Sequence, residues 1–333
     1  MGRKQNQTII SLLWIILLLP GWKSEAQKIH LESLQSPVIF KGNDHLAYRD
    51  PAVLCHNGTF FLFFTLTEIE KDGMIFMYTA SSRSTDLVHW TSPRKLTPRD
   101  RNLNYSSPGN ILRYRGEWLL CLQSYPRPGN TVRNMPQYGN NSARIFLLRS
   151  KDLENWSEPE LMKVKGTTVP VADMGRMIDP YLLQDKDDRT KFWCFYKQNG
   201  VSSSWTRDFK EWTFFGHTES GENTCVMVEN NQYILFHSPP NGIGIKRSAD
   251  LKTWKEWGKL ITLGQSEWEW AKGRITAGAV IPLPGMPQAK YLMFFHGSGP
   301  LTEKEGDFDK NSSIGIAWSN DLITWVWPGK KKQ

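Results

Sequence analysis

The chain has 333 residues, 22% of them charged, and a formal net charge of +8. That length can bury a large core in one domain or two. No basic block is interleaved with aromatic residues on a helical repeat, which argues against nucleic-acid binding.

Residues 1–26 come first in chain order. Arg3 and Lys4 precede an apolar run from Ile9 to Leu19, closed by Pro20 and Gly21. Ser24-Glu25-Ala26 then sets small residues three and one positions before a cut ahead of Gln27. This is the layout of a secretory signal peptide. The run is about half of the ~20 residues that a membrane span needs, and no Cys follows it to anchor a lipoprotein. An exported protein is therefore expected, periplasmic or extracellular, with no membrane span and with residues 27–333 as its single domain.

Beyond the leader, a pattern Asp-(Leu/Phe)-x-x-Trp recurs five times, beginning at Asp86, Asp152, Asp208, Asp250 and Asp321. Upstream of each copy lies an aromatic, strand-favouring run: Phe60–Phe64, Trp118–Cys121, Phe192–Tyr196, Tyr233–Phe236 and Tyr291–Phe295. Hairpin signals precede several of these runs, at Asn57-Gly58, Arg115-Gly116 and Asn230-Asn231. No stretch keeps a helical period beyond a turn or two. Each unit then supplies a small antiparallel sheet that cannot cover both of its faces alone, and radial packing of such sheets solves that problem. The expected fold is all-β: a five-bladed β-propeller of four-stranded antiparallel blades. In it the motif Asp caps a turn and the motif Trp wedges between blades, with no catalytic role for these five Asp residues.

The four cysteines, Cys55, Cys121, Cys194 and Cys225, show no C-x-x-C spacing and no accompanying His cluster. Zinc is disfavoured, and buried free thiols are expected.

The innermost strand of each blade should lie just before its aromatic run, where side chains can converge on a central funnel. Those positions read Tyr48-Arg49-Asp50-Pro51, Ser106-Ser107-Pro108-Gly109, Ile178-Asp179-Pro180-Tyr181, Gly221-Glu222-Asn223-Thr224 and Arg274-Ile275-Thr276-Ala277-Gly278. Three of the five carry a carboxylate at nearly the same register: Asp50, Asp179 and Glu222. Carboxylates sharing one funnel repel each other, so some pKa values should rise. Glycoside hydrolysis uses such an arrangement, with one protonated acid and one ionised partner.

Five Asp-x-x-x-Trp blades, Tyr48-Arg49-Asp50-Pro51 opening the first, Ile178-Asp179-Pro180 the third and Glu222 the fourth together resemble glycoside hydrolase family 43 over nearly all of residues 35–328. The resemblance implies an inverting glycosidase acting on arabinan, xylan or related glycans. Asp50 would be the general base, Asp179 the modulator that raises the pKa of Glu222, and Glu222 the general acid. The chain departs from the family at the acid, where Glu222-Asn223-Thr224 replaces Glu-Gly-Pro or Glu-Ala-Pro. It departs again in the fifth blade, where Arg274 to Gly278 lacks the His that accompanies a central cation. No cofactor is expected, with a central calcium as the open alternative. Candidate substrate contacts are Tyr48, Arg49, Arg274 and Trp268, the last as a sugar platform or as part of an edge strand with Trp270. The expected partner is an oligo- or polysaccharide and the expected state a monomer. The rival functions are a retaining fructan-type hydrolase and a non-catalytic carbohydrate-binding propeller.

Overall fold

The computed structural model describes residues 29–134, 141–283, 286, 288–302 and 309–330. The leader assigned to residues 1–26 lies outside them. No helix among the described residues is long and apolar enough to cross a membrane.

Five antiparallel sheets follow one another along the chain and ring a common axis. Blade 1 runs through Leu46–His56, Thr59–Ile69, Ile75–Ser84 and Arg94–Lys95. Blade 3 comprises Ile178–Gln184, Phe192–Lys197, Val201–Thr206 and Thr213–Thr218, and blade 4 comprises Glu222–Glu229, Gln232–Ser238, Gly244–Ser248 and Lys255–Glu256. In blade 2 the innermost strand is broken into Tyr105–Ser106 and Ile111–Tyr114, both paired with Glu117–Ser124, before Arg144–Ser150 and Glu160–Leu161. Blade 5 takes Arg274–Pro282, Tyr291–Ser298 and Ser313–Ser319 from the C-terminal end of the chain. Val38–Phe40, from the other end, pairs with Ser313–Ser319 and closes the ring. Trp325–Val326 pairs with the same strand.

The aromatic runs are the second strands, and their continuous apolar character has a simple cause. Each blade is covered on both faces, so alternate residues of one strand enter different cores. Phe60, Leu62 and Phe64 pack with Leu292, Phe294 and Ile316 of blade 5, whereas Phe63 packs with Leu120 and Leu122 of blade 2. The same alternation sends Phe192 and Cys194 toward blade 2 but Trp193 and Phe195 toward blade 4.

The five repeated motifs form one turn, five times over. Asp86 Oδ1 accepts the N–H groups of Val88 and His89, and the Ser84 hydroxyl donates to Asp86 while accepting the Leu87 N–H. Asp152, Asp208, Asp250 and Asp321 repeat this. These bonds hold the second motif residue at positive φ, between 60° and 67° at Leu87, Leu153, Phe209, Leu251 and Leu322, where a branched side chain is strained. The motif Trp wedges between blades, as Trp90 does against Phe294 of blade 5 and Trp156 against Phe63 of blade 1. Asn57-Gly58 and Arg115-Gly116 take positive φ at both residues, the geometry of tight hairpin turns.

All four cysteines are free. Cys121, Cys194 and Cys225 are buried, but Cys55 is exposed near the hairpin end of its strand, contrary to the expectation of four buried thiols. Burial pushes the Cys121 and Cys225 thiols up, to about 12 and about 11. Titration of the native protein with a thiol reagent should find one fast-reacting group, and titration in denaturant without reductant should find four. Two or none in denaturant would show that the strands pair the cysteines.

Candidate active site

One backbone device recurs at the top of every innermost strand. Asp50, Ser107, Asp179, Asn223 and Ala277 all have positive φ, between 42° and 55°. In blades 1, 3, 4 and 5 the strand register shifts at that point. Pro51 and Pro180 fall inside these bulges, where a missing N–H costs no ladder bond. Asp50 and Asp179 therefore stand level with Ser107, Asn223 and Ala277. Glu222 stands one residue earlier, level with Arg49 and Ile178.

In four of the five blades the N–H at this position donates to a side chain on the second strand of the preceding blade. Ser107 donates to Thr65 Oγ1 at 2.7 Å, Asp179 to Gln123 Oε1 at 2.8 Å, Ala277 to Ser238 Oγ at 2.8 Å and Asp50 to His296 Nδ1 at 3.0 Å. Blade 3 offers Lys197 at the matching position, paired with Ile178, and an ammonium cannot accept. The Asn223 N–H instead goes to Asp179 Oδ2 at 3.0 Å. A break in the repeat thus hands a backbone donor to one of the funnel carboxylates.

Asp50 is held by Thr65 Oγ1 and Ser107 Oγ, which both donate to its Oδ2, at 2.9 and 3.0 Å. Asn223 Nδ2 lies 3.4 Å from Oδ1, and the Asn223 carbonyl oxygen accepts from Thr276 Oγ1 at 3.0 Å. His296 Nδ1 is 3.5 Å from Oδ1. Because that nitrogen accepts the Asp50 N–H, it carries no proton there, and the pair is not an ion pair.

Asp179 is buried beneath the cavity, and its Oδ2 faces the Asn223 N–H. Loss of hydration, then the charges of Glu222 and Asp50, push its carboxyl up to about 7. The sequence reading expected some of the funnel carboxyls to rise, and Asp179, 6% exposed, is one that does. Glu222 is 39% exposed and sits between Arg176 and Arg274, each 3.9 Å away.

The three carboxylates, with Arg49 and Arg274, line one cavity of about 270 Å³. Two expected substrate contacts do not line it. Tyr48 stacks on Phe40 with centroids 5.2 Å apart and meets Phe64 edge-on at 5.7 Å, in the core between blades 5 and 1. Strand alternation turns it away from the funnel that its neighbour Arg49 faces. Trp268 stacks on Trp270 and Phe295 in the core between blades 4 and 5. The Glu-Trp-Glu-Trp stretch is two short 3-10 turns, Gln265–Glu267 and Glu269–Ala271, rather than an edge strand.

Sequence reasoning missed Arg176, Arg127, Asp309 and Asn223. Only Asn223 had a readable signal, as the residue following Glu222 on a funnel strand. Among the described residues no group of three or more His, Cys, Asp or Glu converges as a cation site.

The buried proton has a measurable consequence. Unfolded, the Asp179 carboxyl returns to its ordinary value of 3.8, while folded it stays protonated to about pH 7. The native state then binds more protons, so this group's contribution to stability falls as pH rises from about 4 to about 7. Asp179→Asn keeps an acceptor for the Asn223 N–H and removes the titration. The variant should match the wild type in denaturant unfolding at about pH 4 and exceed it at about pH 8. Equal stability at the higher pH would show that Asp179 ionises without cost.

No protein-family model matches the chain, and no curated protein matches it. Solved structures do. An exo-1,5-α-L-arabinanase from a bovine ruminal metagenomic library aligns over 84% of this chain and 96% of its own, at 16% identity and a TM-score of 0.56. An exo-β-1,3-galactanase from Clostridium thermocellum aligns over 84% of this chain and 61% of its own, at 16% identity and a TM-score of 0.59. A thermostable family-43 glycoside hydrolase aligns over 87% and 96%, at 12% identity and a TM-score of 0.57. This chain therefore has the five-bladed propeller fold of those proteins.

Proposed function

We propose that the protein is an exported glycoside hydrolase, monomeric and acting through residues 27–333, that cleaves plant-type glycans with arabinoside- or xyloside-like linkages by inversion. The observation that carries this reading is the convergence of Asp50, Asp179 and Glu222 on one cavity in a fold shared with an arabinanase and a galactanase. Asp50 is the general base. Two hydroxyls anchor one of its oxygens, which leaves the other to take a proton from water. Glu222, at the accessible side of the cavity, is the general acid for the leaving oxygen. Asp179 is the modulator: it and Glu222 repel as like charges, so the pair retains a proton near neutral pH that Glu222 can deliver to the leaving oxygen.

Inversion needs the base and acid roughly 6.5–9.5 Å apart, so that a water fits opposite the leaving group. Their positions on blades 1 and 4, which are not adjacent in the ring, favour that spacing. The test is NMR of the first-formed anomer from a screen of aryl arabinofuranosides, xylosides and galactosides. Retained configuration would make Asp50 a nucleophile instead, and no hydrolysis across the screen would leave a carbohydrate-binding propeller. Glu222→Gln should slow substrates with poor leaving groups about 10²–10⁴-fold, and activated aryl glycosides far less. Equal losses on both would remove Glu222 as the acid.

A further inference from the structure

Asn223 touches both of the buried carboxylates, and each contact uses a different part of the residue. Its backbone N–H donates to Asp179 Oδ2 at 3.0 Å, and its side-chain Nδ2 lies 3.4 Å from Asp50 Oδ1. The two acids come from blades 3 and 1, while Asn223 stands on blade 4. It also follows Glu222 directly. The residue before Glu222 is pinned in turn, by the bond from the Gly221 N–H to His237 Nδ1 at 3.0 Å. A single residue thus sits against or beside every funnel carboxylate.

The carboxamide of Asn223 has one preferred orientation. Thr276 Oγ1, buried on blade 5, donates to its Oδ1 at 3.0 Å. A flipped amide would set its oxygen against Asp50 Oδ1, which in a general base must itself accept. The backbone supports the same pose, with φ at 51°, a region that Asn tolerates better than most side chains. The contact with Asp50 is long, so it acts through direction rather than strength. Thr65 and Ser107 both hold Oδ2, and Asn223 faces the other oxygen. A carboxylate oxygen offers two lone pairs. With Asn223 on one side of Oδ1, the other side is left to a water.

We propose that Asn223, oriented by Thr276, is a positioning residue for hydrolysis that aims Asp50 Oδ1 at the attacking water. The inference rests on the reading of Asp50 as the general base. Near-attack geometry tolerates little error, and a misplacement of about 1 Å can cost ~10²-fold in rate. The loss then falls on the chemical step, so kcat moves and KM does not. A residue that only bound the sugar would move KM instead.

The test is steady-state kinetics of variants of the full-length protein, on the aryl glycoside that the wild type cleaves fastest. Asn223→Gly keeps the backbone pose, since glycine adopts positive φ readily, and keeps the N–H bond to Asp179. It should lower kcat about 10–100-fold and leave KM nearly unchanged. Thr276→Val removes only the hydroxyl that orients the amide and should lower kcat in the same way, whereas Thr276→Ser should restore most of it. A change confined to KM, a wild-type kcat in Asn223→Gly, or equal losses in the Val and Ser variants overturns the proposal. Where Asn223→Gly fails to fold, the pair at Thr276 decides. The contacts are read separately by NMR, in the side-chain amide signals of Asn223, assigned by their loss in Asn223→Gly. They should move in Thr276→Val and in Asp50→Asn, and signals unmoved by both overturn the proposal whatever the kinetics. No hydrolysis by the wild type, or retained configuration, would sink the reading beneath this inference and the inference with it. Hydrolysis by inversion that survives Asn223→Gly unchanged would sink this inference alone.

Discussion

Asp50→Asn should lower turnover about 10²–10⁴-fold on every substrate, activated or not, a rise of roughly 3–5 kcal/mol in the barrier. The substitution keeps the shape of the side chain, so the bulge and the Asp50 N–H bond to His296 should persist. It removes the only chemistry a base needs, an oxygen that can accept a proton from water. The surroundings also resist repair. Thr65 and Ser107 both donate to Oδ2, so the new carbonyl oxygen must take that place. The new amide nitrogen then faces Asn223 Nδ2, 3.4 Å from the present Oδ1. Asn223 cannot turn its own oxygen toward it without giving up the bond from Thr276. Circular dichroism should show an unchanged fold, and the Glu222→Gln variant provides the contrast, since its loss depends on the leaving group. A variant within tenfold of wild type would remove Asp50 from the chemistry.

Asp309→Ala should destabilise the protein by about 3–5 kcal/mol, as measured by the midpoint of denaturant unfolding. Asp309 and Arg127 meet through two bonds, Nη1 to Oδ1 at 3.0 Å and Nη2 to Oδ2 at 3.3 Å. Their side chains are only 4% and 1% exposed. The pair ties the loop after Glu117–Ser124 in blade 2 to the segment before Ser313–Ser319 in blade 5, across 182 residues of chain. Removing the carboxylate takes this counter-charge and both of its bonds from a buried guanidinium, which is the costly half of such a pair. Replacing both residues by apolar side chains of similar volume should recover most of the loss, because the intact pair offsets its own desolvation only narrowly. Arg127 also lines the cavity, so the single variant should weaken substrate binding, and the double variant should not restore it along with stability. Unchanged unfolding of Asp309→Ala would show that Arg127 finds full compensation elsewhere.

Much of the architecture was legible from residues close together in the chain. The five Asp-(Leu/Phe)-x-x-Trp turns are closed by bonds spanning two or three residues. Asn57-Gly58 and Arg115-Gly116 encode their own positive φ. The aromatic runs, apolar at every position, could only be strands covered on both faces. From those signals the blade count follows, and with it the places where Asp50, Asp179 and Glu222 enter the funnel.

What neighbours in space decide could not be read this way. Tyr48 and Arg49 are adjacent in sequence, yet one stacks on Phe40 and the other lines the cavity, because a strand alternates faces and a bulge resets the alternation. Trp268 entered a core formed with Phe295, which no local pattern distinguishes from a sugar platform. The closure of blade 5 by Val38–Phe40 joins opposite ends of the chain. Which carboxyl holds its proton depends on exclusion of water and on charges 43 to 129 residues away, at Glu222 and Asp50. Arg49, Arg176 and Arg274, far apart in the chain, line the same cavity. The sequence by itself determined the repeated sheets and the carboxylates they present, since turn chemistry and strand period act over a few residues. Only the tertiary structure decided the raised pKa of Asp179 and the partners of the site residues, since burial and Coulomb energy are set by distances across the ring.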